Sequence, residues 1–414
     1  DFASGDLVTM YGVTVGRVTE AVAAGSWLHT GNLKHQSAAF TGKSSAYTWT
    51  PPDVSAWKNR TFQGFRRSHG VSGTANHWIV IPLVFCESRN LAVMRASMQR
   101  ALGYARTSAY ERYTQALVDA VRRGAAPEDL RQLSLEQEAA APDRLFPNLS
   151  GLQFLDHAMG CGGTRQDAQA LCRLLAGYIA HPNVAGATVL SLGCQNAQIS
   201  LLESELAALD PAFDKPLHLF EQQKSRSEQQ MIADAIRDTL LGMAAANEQE
   251  REPCPISHLT LGVECGGSDG FSGISANPAI GHAADLLAAL GGAPVLAEFP
   301  ELCGVEQSLC DRCVSPELAD RFVHLMRSYP ACPPACGSGF AANPSPGNIP
   351  DGLITDAIKS AGAAKKGGTS PVVGVIDYGE PVRARGGLNL CCTPGNDVES
   401  TTALAGAGCN LIVF

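Results

Sequence analysis

Apolar positions follow two different rhythms along this chain. In the first forty residues they form short runs, Leu7 to Tyr11, Val13 to Val18 and Ser26 to Leu28, separated by Gly12 and by Ala24-Gly25. Runs of this length between turn residues predict short strands and a small β-rich module over residues 1–38. Residues 39–60 carry Ser, Thr, Pro and Lys without periodicity and read as a linker.

From Thr61 the pattern changes. Trp78 to Phe85 is an apolar run of buried-strand type, followed by a helical stretch at Leu91 to Leu102. Tyr113, Leu117 and Val121 fall at i, i+4 and i+8, which predicts an amphipathic helix over Tyr110 to Arg123. Helix, strand, strand and helix follow at Ala168 to Ala180, Ala187 to Leu192, Leu217 to Phe220 and Ser227 to Met243. Residues 247–256, with Pro253 and Pro255, mark a boundary near 250. Beyond it the alternation resumes. Strands are predicted at Leu259 to Val263, Pro294 to Ala297, Val372 to Ile376 and Asn410 to Phe414, with helices at Ala283 to Leu290 and Pro316 to Arg327. Such alternation predicts an α/β protein: the β-rich module, then two α/β domains, 61–250 and 251–414, with mostly parallel sheets. No short-period repeat is present.

Composition narrows the partners. The net charge is −9, which argues against a nucleic-acid partner, since phosphate binding needs a basic face. The longest apolar runs are far too short to span a bilayer, so no membrane partner is expected. Fourteen cysteines in 414 residues are too sparse for a secreted disulfide scaffold and read as reduced thiols in a cytoplasmic protein.

Chemistry collects after the predicted strands. Cys86-Glu87-Ser88-Arg89-Asn90, Gly193-Cys194-Gln195, Glu221-Gln222-Gln223, Cys265-Gly-Gly-Ser268-Asp269 and Glu298-Phe-Pro-Glu301 each follow one. In open α/β sheets this is the rim where ligands bind, although polar turns also end strands that bind nothing. Gly160-Cys161-Gly162-Gly163-Thr164-Arg165 and the Cys265 segment pair glycines with polar groups. They suit backbone approach to an anion or a plain tight turn; neither is a nucleotide fingerprint. Cys310-x-x-Cys313 with Cys332-x3-Cys336 has spacing close to a zinc ribbon, but its first pair falls by a helix and its second in a Pro-rich loop, so free thiols are the preferred reading. His29, alone, is either a structural hydrogen-bonder or a ligand.

Several ordered motifs make the chain resemble the altronate/galactarate dehydratase family. They are Ala24-Gly-Ser-Trp-Leu-His-Thr-Gly-Asn-Leu33, Gly73-Thr-Ala-Asn76, Gly160-Cys-Gly-Gly-Thr-Arg-Gln-Asp167, His181-Pro-Asn-Val-Ala-Gly186, Leu192-Gly-Cys-Gln195, Cys265-Gly-Gly-Ser-Asp-Gly-Phe-Ser-Gly273, Asn343-Pro-Ser-Pro-Gly-Asn348, Lys366-Gly-Gly-Thr-Ser-Pro371 and Thr393-Pro-Gly-Asn-Asp397. The altronate branch is the nearer one. The resemblance implies a small N-terminal SAF domain of β-clip type, suited to carbohydrate binding or homodimer formation. It further implies a second domain, a C-terminal catalytic domain, and loss of water from a sugar acid to give a 2-keto-3-deoxy product. It also implies a divalent metal, iron(II) first and manganese(II) second. Galactarate and sulfolactate are alternative substrates, and a non-catalytic metal or iron–sulfur module is the alternative of another class. Gly31 stands where the family commonly has a second His, and His69, Gly70 and Val71 stand where it often has Asp-Gly-Arg. Against the family pattern the chain is expected to begin inside the SAF-like module and to stop short of a C-terminal tail.

Dehydration of a 2,3-dihydroxy acid needs a base for the C2 proton, an acid for the leaving hydroxyl and a cation for the developing enediolate. The resemblance and the rim positions nominate His29 as metal ligand or proton shuttle, and Glu298 or Glu301 as base or metal carboxylate. Asp269, with Ser268 and Ser272, is nominated for substrate or metal contact, and Cys161, Cys194 and Cys265 as thiolate ligands. Asn32, Arg165, Gln195, Asn343, Asn348 and Asn396 are the remaining substrate-binding candidates.

Overall fold

The computed structural model describes residues 1–68, 70–105, 107–135, 143–331 and 343–414. His69, Cys332 and Cys336 lie outside the described residues. The chain opens with β1 (Leu7–Met10), β2 (Val13–Val18) and β3 (Leu33–Lys34), a three-stranded antiparallel sheet. The third strand is not the expected Ser26 to Leu28. That segment is loop, with Trp27 86% exposed. Residues 35–60 form no regular element, yet they lie along the C-terminal domain. Lys43 Nζ donates to the carbonyls of Asp311 and Cys313, and Tyr47 Oη to that of Thr369.

The second domain carries β4 (Thr61–Arg66), β5 (Ser72–Gly73), β6 (His77–Pro82), α1 (Ser88–Met98), α2 (Ala109–Arg122), α3 (Pro127–Gln132) and β7 (Gly151–Phe154). It continues with α4 (Arg165–Ala180), β8 (Val184–Ser191), α5 (Ile199–Leu209), β9 (Leu217–Glu221) and α6 (Glu228–Ala246). Strands β7-β6-β8-β9 form a wholly parallel sheet. Its side chains alternate between two cores. Ile79, Ile81 and Leu83 pack with Leu171, Leu175 and Ile179 of α4 and Leu202 of α5. Trp78 and Val80 pack with Leu91 and Met94 of α1 and with Ala235 and Met243 of α6. Both faces are thus covered, which is why all eight residues of β8 are buried and read as one apolar run.

The C-terminal domain begins with β10 (Glu252–Pro255), which pairs antiparallel with β4 across the expected boundary. It continues with β11 (Thr260–Val263), α7 (Ala276–Ala289), β12 (Ala293–Leu296), α8 (Glu306–Arg312) and α9 (Pro316–Ala331). The last elements are α10 (Asp356–Ala363), β13 (Val372–Ile376), β14 (Leu388–Cys391), α11 (Asp397–Gly406) and β15 (Leu411–Val413). Its five-stranded sheet runs β13-β14-β12-β11-β15, all parallel. The loop after β12 leads to β13 on one side, while the loop after β14 leads to β15 on the other. Neighbouring strand ends therefore part, and a crevice opens between them. Ala403 and Leu404 of α11 cover one face; Leu309, Phe322, Ala357 and Ile358 cover the other, where Val15, Val18 and Leu33 of the N-terminal sheet join the same core.

Two of the departures from the periodicity reading have a local reason. Helix α7 starts at Ala276 rather than Ala283, because Pro278 falls in its first turn, where its missing N–H costs nothing. Strand β14 was not visible because Asn389 interrupts its apolar run. The Asn389 amide is buried and donates to the carbonyl of Ala384 at 3.1 Å.

The two α/β units are locked by hydrogen bonds around β15. Thr74 Oγ1 donates to the carbonyl of Asn410 at 2.9 Å, and Asn410 Nδ2 donates to that of Ser72 at 3.0 Å. His181 Nε2 lies 3.0 Å from the carbonyl of Cys409, while its Nδ1 accepts from the backbone N–H of Asn183. That pattern holds the ring neutral, and burial pushes its pKa down to about 4. Helix α4 meets α11 at Gly177, where an added Cβ would stand 2.1 Å from the carbonyl oxygen of Gly406.

Two outcomes follow. Alanine exceeds glycine in helix propensity by about 1 kcal/mol, yet Gly177→Ala is expected to lower stability by about 2 kcal/mol through overpacking, read as a lower urea midpoint; an unchanged or higher midpoint contradicts the contact. For His181, the unfolded chain takes up its proton near pH 6.5 and the folded chain only near 4. Stability is therefore lost as pH falls through that window, by about 1.4 kcal/mol at pH 5.5. The loss between pH 7.5 and 5.5 should shrink by about that amount in His181→Gln.

Candidate functional site

The crevice of the five-stranded sheet is lined by acids and lysines supplied by separate loops. Glu264 is the residue that follows β11, Glu298 follows β12, and Asp397 is the first residue of α11 beyond β14. Parallel strands end level with one another, so these three converge. One carboxylate oxygen from each lies within 4.8 Å of the other two. Glu264 and Glu298 are buried, Asp397 is exposed, and the group is able to hold a metal ion.

Nothing in the backbone makes this arrangement comfortable. Glu298 occupies the left-handed region, φ +65°, which a side-chain-bearing residue seldom adopts. It is fixed there by its own N–H, donated to Thr393 Oγ1 at 2.8 Å, and by the Cys265 N–H, donated to its Oε2. Burial, together with the Glu301 and Glu264 charges, pushes its pKa up to about 8, although the Cys265 N–H and Lys366 oppose the shift. Burial also raises the pKa of Glu264. Glu264 Oε1 accepts from Thr401 Oγ1, while its Oε2 is buried with no hydrogen-bond partner.

The adjoining cavity, about 210 Å³, is lined by Glu264, Cys265, Ser268, Asp269, Lys359 and Lys366 among others. Cys265 Sγ lies 2.9 Å from Ser268 Oγ, and burial raises the thiol's pKa against the pull of Lys366. Lys359 and Glu301 form an ion pair at 2.9 Å, their side chains 14% and 9% exposed. Burial alone would lower the lysine's pKa, but Glu301 outweighs it and the net shift is upward. Glu301 Oε2 is buried without a hydrogen-bond partner.

The residues nominated from sequence separate into three groups. Glu298, Glu301, Cys265, Ser268, Asp269 and Ser272 lie in or against this crevice. Asp269 is committed locally: its carboxylate accepts from the N–H groups of Phe271 and Ser272 and from Ser272 Oγ, the bonds that keep its pKa low. Asn343, Asn348 and Asn396 sit next to it. Asn343 bonds Asp356 and Lys359, Asn348 Nδ2 donates to the carbonyl of Ser268, and Asn396 caps α11. His29 and Asn32 belong to one turn of the N-terminal module, where His29 is exposed and Asn32 buried. There the His29 N–H donates to Asn32 Oδ1, and His29 Nδ1 accepts from Gly31; neither residue lines the cavity.

The third group stands at the rim of the other sheet. Gln195 is buried and folds its own turn, bonding Gly193, Ser191 and Ala197. Arg165 is exposed at the start of α4, and Cys161 and Cys194 are exposed beside it on neighbouring loops. Cys310 and Cys313 are buried in the C-terminal core. Sequence reasoning passed over Glu264, Asp397, Lys359, Lys366 and Thr393. Glu264 was signalled by its place between an apolar strand and Cys265, and Asp397 and Lys366 sit inside quoted motifs; Lys359 carries no local signal. A second group able to hold a metal, His35, Cys303 and Asp356, lines a separate cavity of about 650 Å³.

Comparison with known proteins agrees with this architecture. Residues 64–247 match the family described as D-galactarate dehydratase/Altronate hydrolase, second domain, and residues 256–414 match D-galactarate/Altronate dehydratase, C-terminal. Altronate dehydratase of Bacillus subtilis is 32% identical over 412 residues, covering 99% of this chain and 72% of that protein. Altronate dehydratase of Escherichia coli is 30% identical over 417 residues, covering 100% and 74%. Galactarate dehydratase (L-threo-forming) of Escherichia coli is 27% identical, covering 100% and 72%.

The crowding of acids has a measurable consequence. Glu298→Gln keeps an acceptor for the Cys265 N–H and removes one of three adjacent charges. In chelator at pH 8 the variant is expected to be more stable than the parent by about 1 kcal/mol, as functional sites held under repulsion commonly are. A urea midpoint that falls instead would contradict the repulsion.

Proposed function

Since this chain belongs to the D-galactarate/altronate dehydratase family, we propose that it is a hydro-lyase that dehydrates a sugar acid, D-altronate, to 2-dehydro-3-deoxy-D-gluconate. The observation that carries this reading is the meeting of Glu264, Glu298 and Asp397 beside a lysine-lined cavity.

The donor set fits a divalent cation. Three carboxylates gather in one place, and one oxygen of Glu264 is buried without a partner. An all-oxygen set suits manganese(II) at least as well as the iron(II) favoured by family resemblance. Held by Glu264, Glu298 and Asp397, such a cation would supply positive charge against the enediolate that forms when C2 loses its proton.

The chain's own groups account for the remaining steps. Lys366, lining the cavity, receives the substrate carboxylate. Ser268 and Cys265 contact the polyol hydroxyls. Glu301 takes the C2 proton, and Lys359 donates a proton to the departing 3-hydroxyl, which leaves as water. The Glu301 proton then returns Lys359 to its charged form, so the pair ends as it began. The enol product becomes the 2-keto acid in solution. Of the two lysines lining this cavity among the described residues, Lys359 is already paired with Glu301. That leaves one lysine, Lys366, for one carboxylate and favours a monoacid such as altronate over galactarate or sulfolactate.

Anaerobic assays with D-altronate, galactarate and sulfolactate, scoring 2-keto acid and sulfite, test the assignment. Manganese(II)- or iron(II)-dependent turnover of D-altronate is expected, with kcat in Glu301→Gln lower by about 10²–10⁴ and KM little changed. Full turnover after exhaustive chelation removes the cation from the reaction, and failure of all three acids sinks the dehydratase reading.

A further inference from the structure

The described cysteines divide sharply by exposure. Of twelve free thiols, Cys86, Cys161 and Cys194 are the exposed ones; the other nine are buried or partly buried. These three share one place in the fold. Cys86 lies in the turn after β6, Cys161 in the loop after β7, and Cys194 in the loop after β8. In the order β7-β6-β8 those strands are adjacent and parallel, so all three thiols stand on one rim.

Backbone bonds draw the loops together. The Phe85 N–H donates to the carbonyl of Met159 at 2.9 Å, and the Ala197 N–H donates to that of Gly160 at 3.1 Å. Gly160 sits against the backbone at Leu83, where an added Cβ would fall 2.3 Å from the carbonyl oxygen. The close approach of the first two loops therefore depends on that glycine. Cys86 is in side-chain contact with Cys161, and both Cys161 and Cys194 are near enough, after desolvation, to raise the Cys86 pKa. Around Cys161 the chain is Gly160-Cys161-Gly162-Gly163, and space beside Gly162 is open. Thr164 then caps the sixteen-residue helix α4, whose first turn follows directly on this loop.

Three exposed thiols on converging loops, with bare backbone between them, are poorly explained by packing, because none is buried. We propose that Cys86, Cys161 and Cys194 form a three-thiolate site for a thiophilic metal centre, either an iron–sulfide cluster or zinc, that keeps one coordination position open. Soft sulfur donors select such metals over the hard cations that suit carboxylates. This site is separate from the Glu264, Glu298 and Asp397 group and does not depend on the dehydratase reading. On binding, each sulfur exchanges its proton for a bond to metal and no oxidation state changes.

The full chain, purified without oxygen, is analysed for iron, acid-labile sulfide and zinc, and its apo form is titrated with cobalt(II) or zinc(II). Iron with sulfide and a broad visible absorption identifies a cluster. Zinc retention, with thiolate-to-cobalt charge-transfer bands in the substituted protein, identifies a single ion. In either case the signal should fall at least tenfold in Cys86→Ser/Cys161→Ser/Cys194→Ser and persist in Cys265→Ser. As all three replacements are exposed, the triple variant should keep its circular dichroism and urea midpoint. Should that variant instead unfold, protection of the three thiols from maleimide by zinc in the parent reads the same site. A parent protein that holds none of these metals and shows no charge transfer or thiol protection overturns the proposal. So does a folded triple variant that keeps the parent's metal.

Discussion

Two buried carboxylates at the end of a parallel sheet set the terms for everything around them. Glu264 and Glu298 leave water at neighbouring strand ends, with Asp397 beside them. Isolated charges in such surroundings cost several kcal/mol each unless they are paired or hold a metal. The protein meets that cost with Lys366, with the Thr401 hydroxyl and with the Cys265 N–H. The left-handed backbone at Glu298 adds strain of the kind that collects at functional sites. Stability has been given up locally, and the surrounding sheet, covered on both faces, keeps the acids from moving apart.

Strand order explains why these residues meet. Glu298 and Thr393 are ninety-five residues apart in sequence but follow β12 and β14, which are hydrogen-bonded neighbours. The N-terminal sheet completes one wall by packing Val15, Val18 and Leu33 into the same core as α10, the helix that carries Lys359. Around β15, Asn410 and His181 fasten the second domain to this unit through main-chain carbonyls. Hydrogen bonds to backbone define relative position more tightly than apolar packing alone, because each has a narrow range of distance and angle.

The two parallel sheets offer opposite donor chemistry at their rims. Carboxylates gather on the five-stranded sheet and exposed thiols on the four-stranded one. The same topological rule operates in both, since loops at the carboxyl ends of parallel strands converge whatever they carry. What differs is burial. Glu264 and Glu298 are shielded and perturbed, while the thiols lie open to solvent.

Much of this was legible in the residues themselves. Buried strands such as β8 announce themselves as apolar runs, and α4 by its Thr164 cap and its periodicity, because those signals are local and come from the hydrophobic effect and backbone capping. The ordered Gly, Ser, Asp and Asn motifs pointed to the family, and the strand-end rule pointed to Glu298, Glu301, Cys265 and Ser268. Tertiary structure alone decided which of these share a cavity. It placed His29 in an exposed turn, joined Glu264 and Asp397 to Glu298, and set Lys359 opposite Glu301. It also separated Cys265 from Cys161 and Cys194 and brought Cys86 to the latter pair. Those outcomes depend on the order in which strands pair, and that order is fixed by long-range packing of whole layers, which no window of neighbouring residues contains.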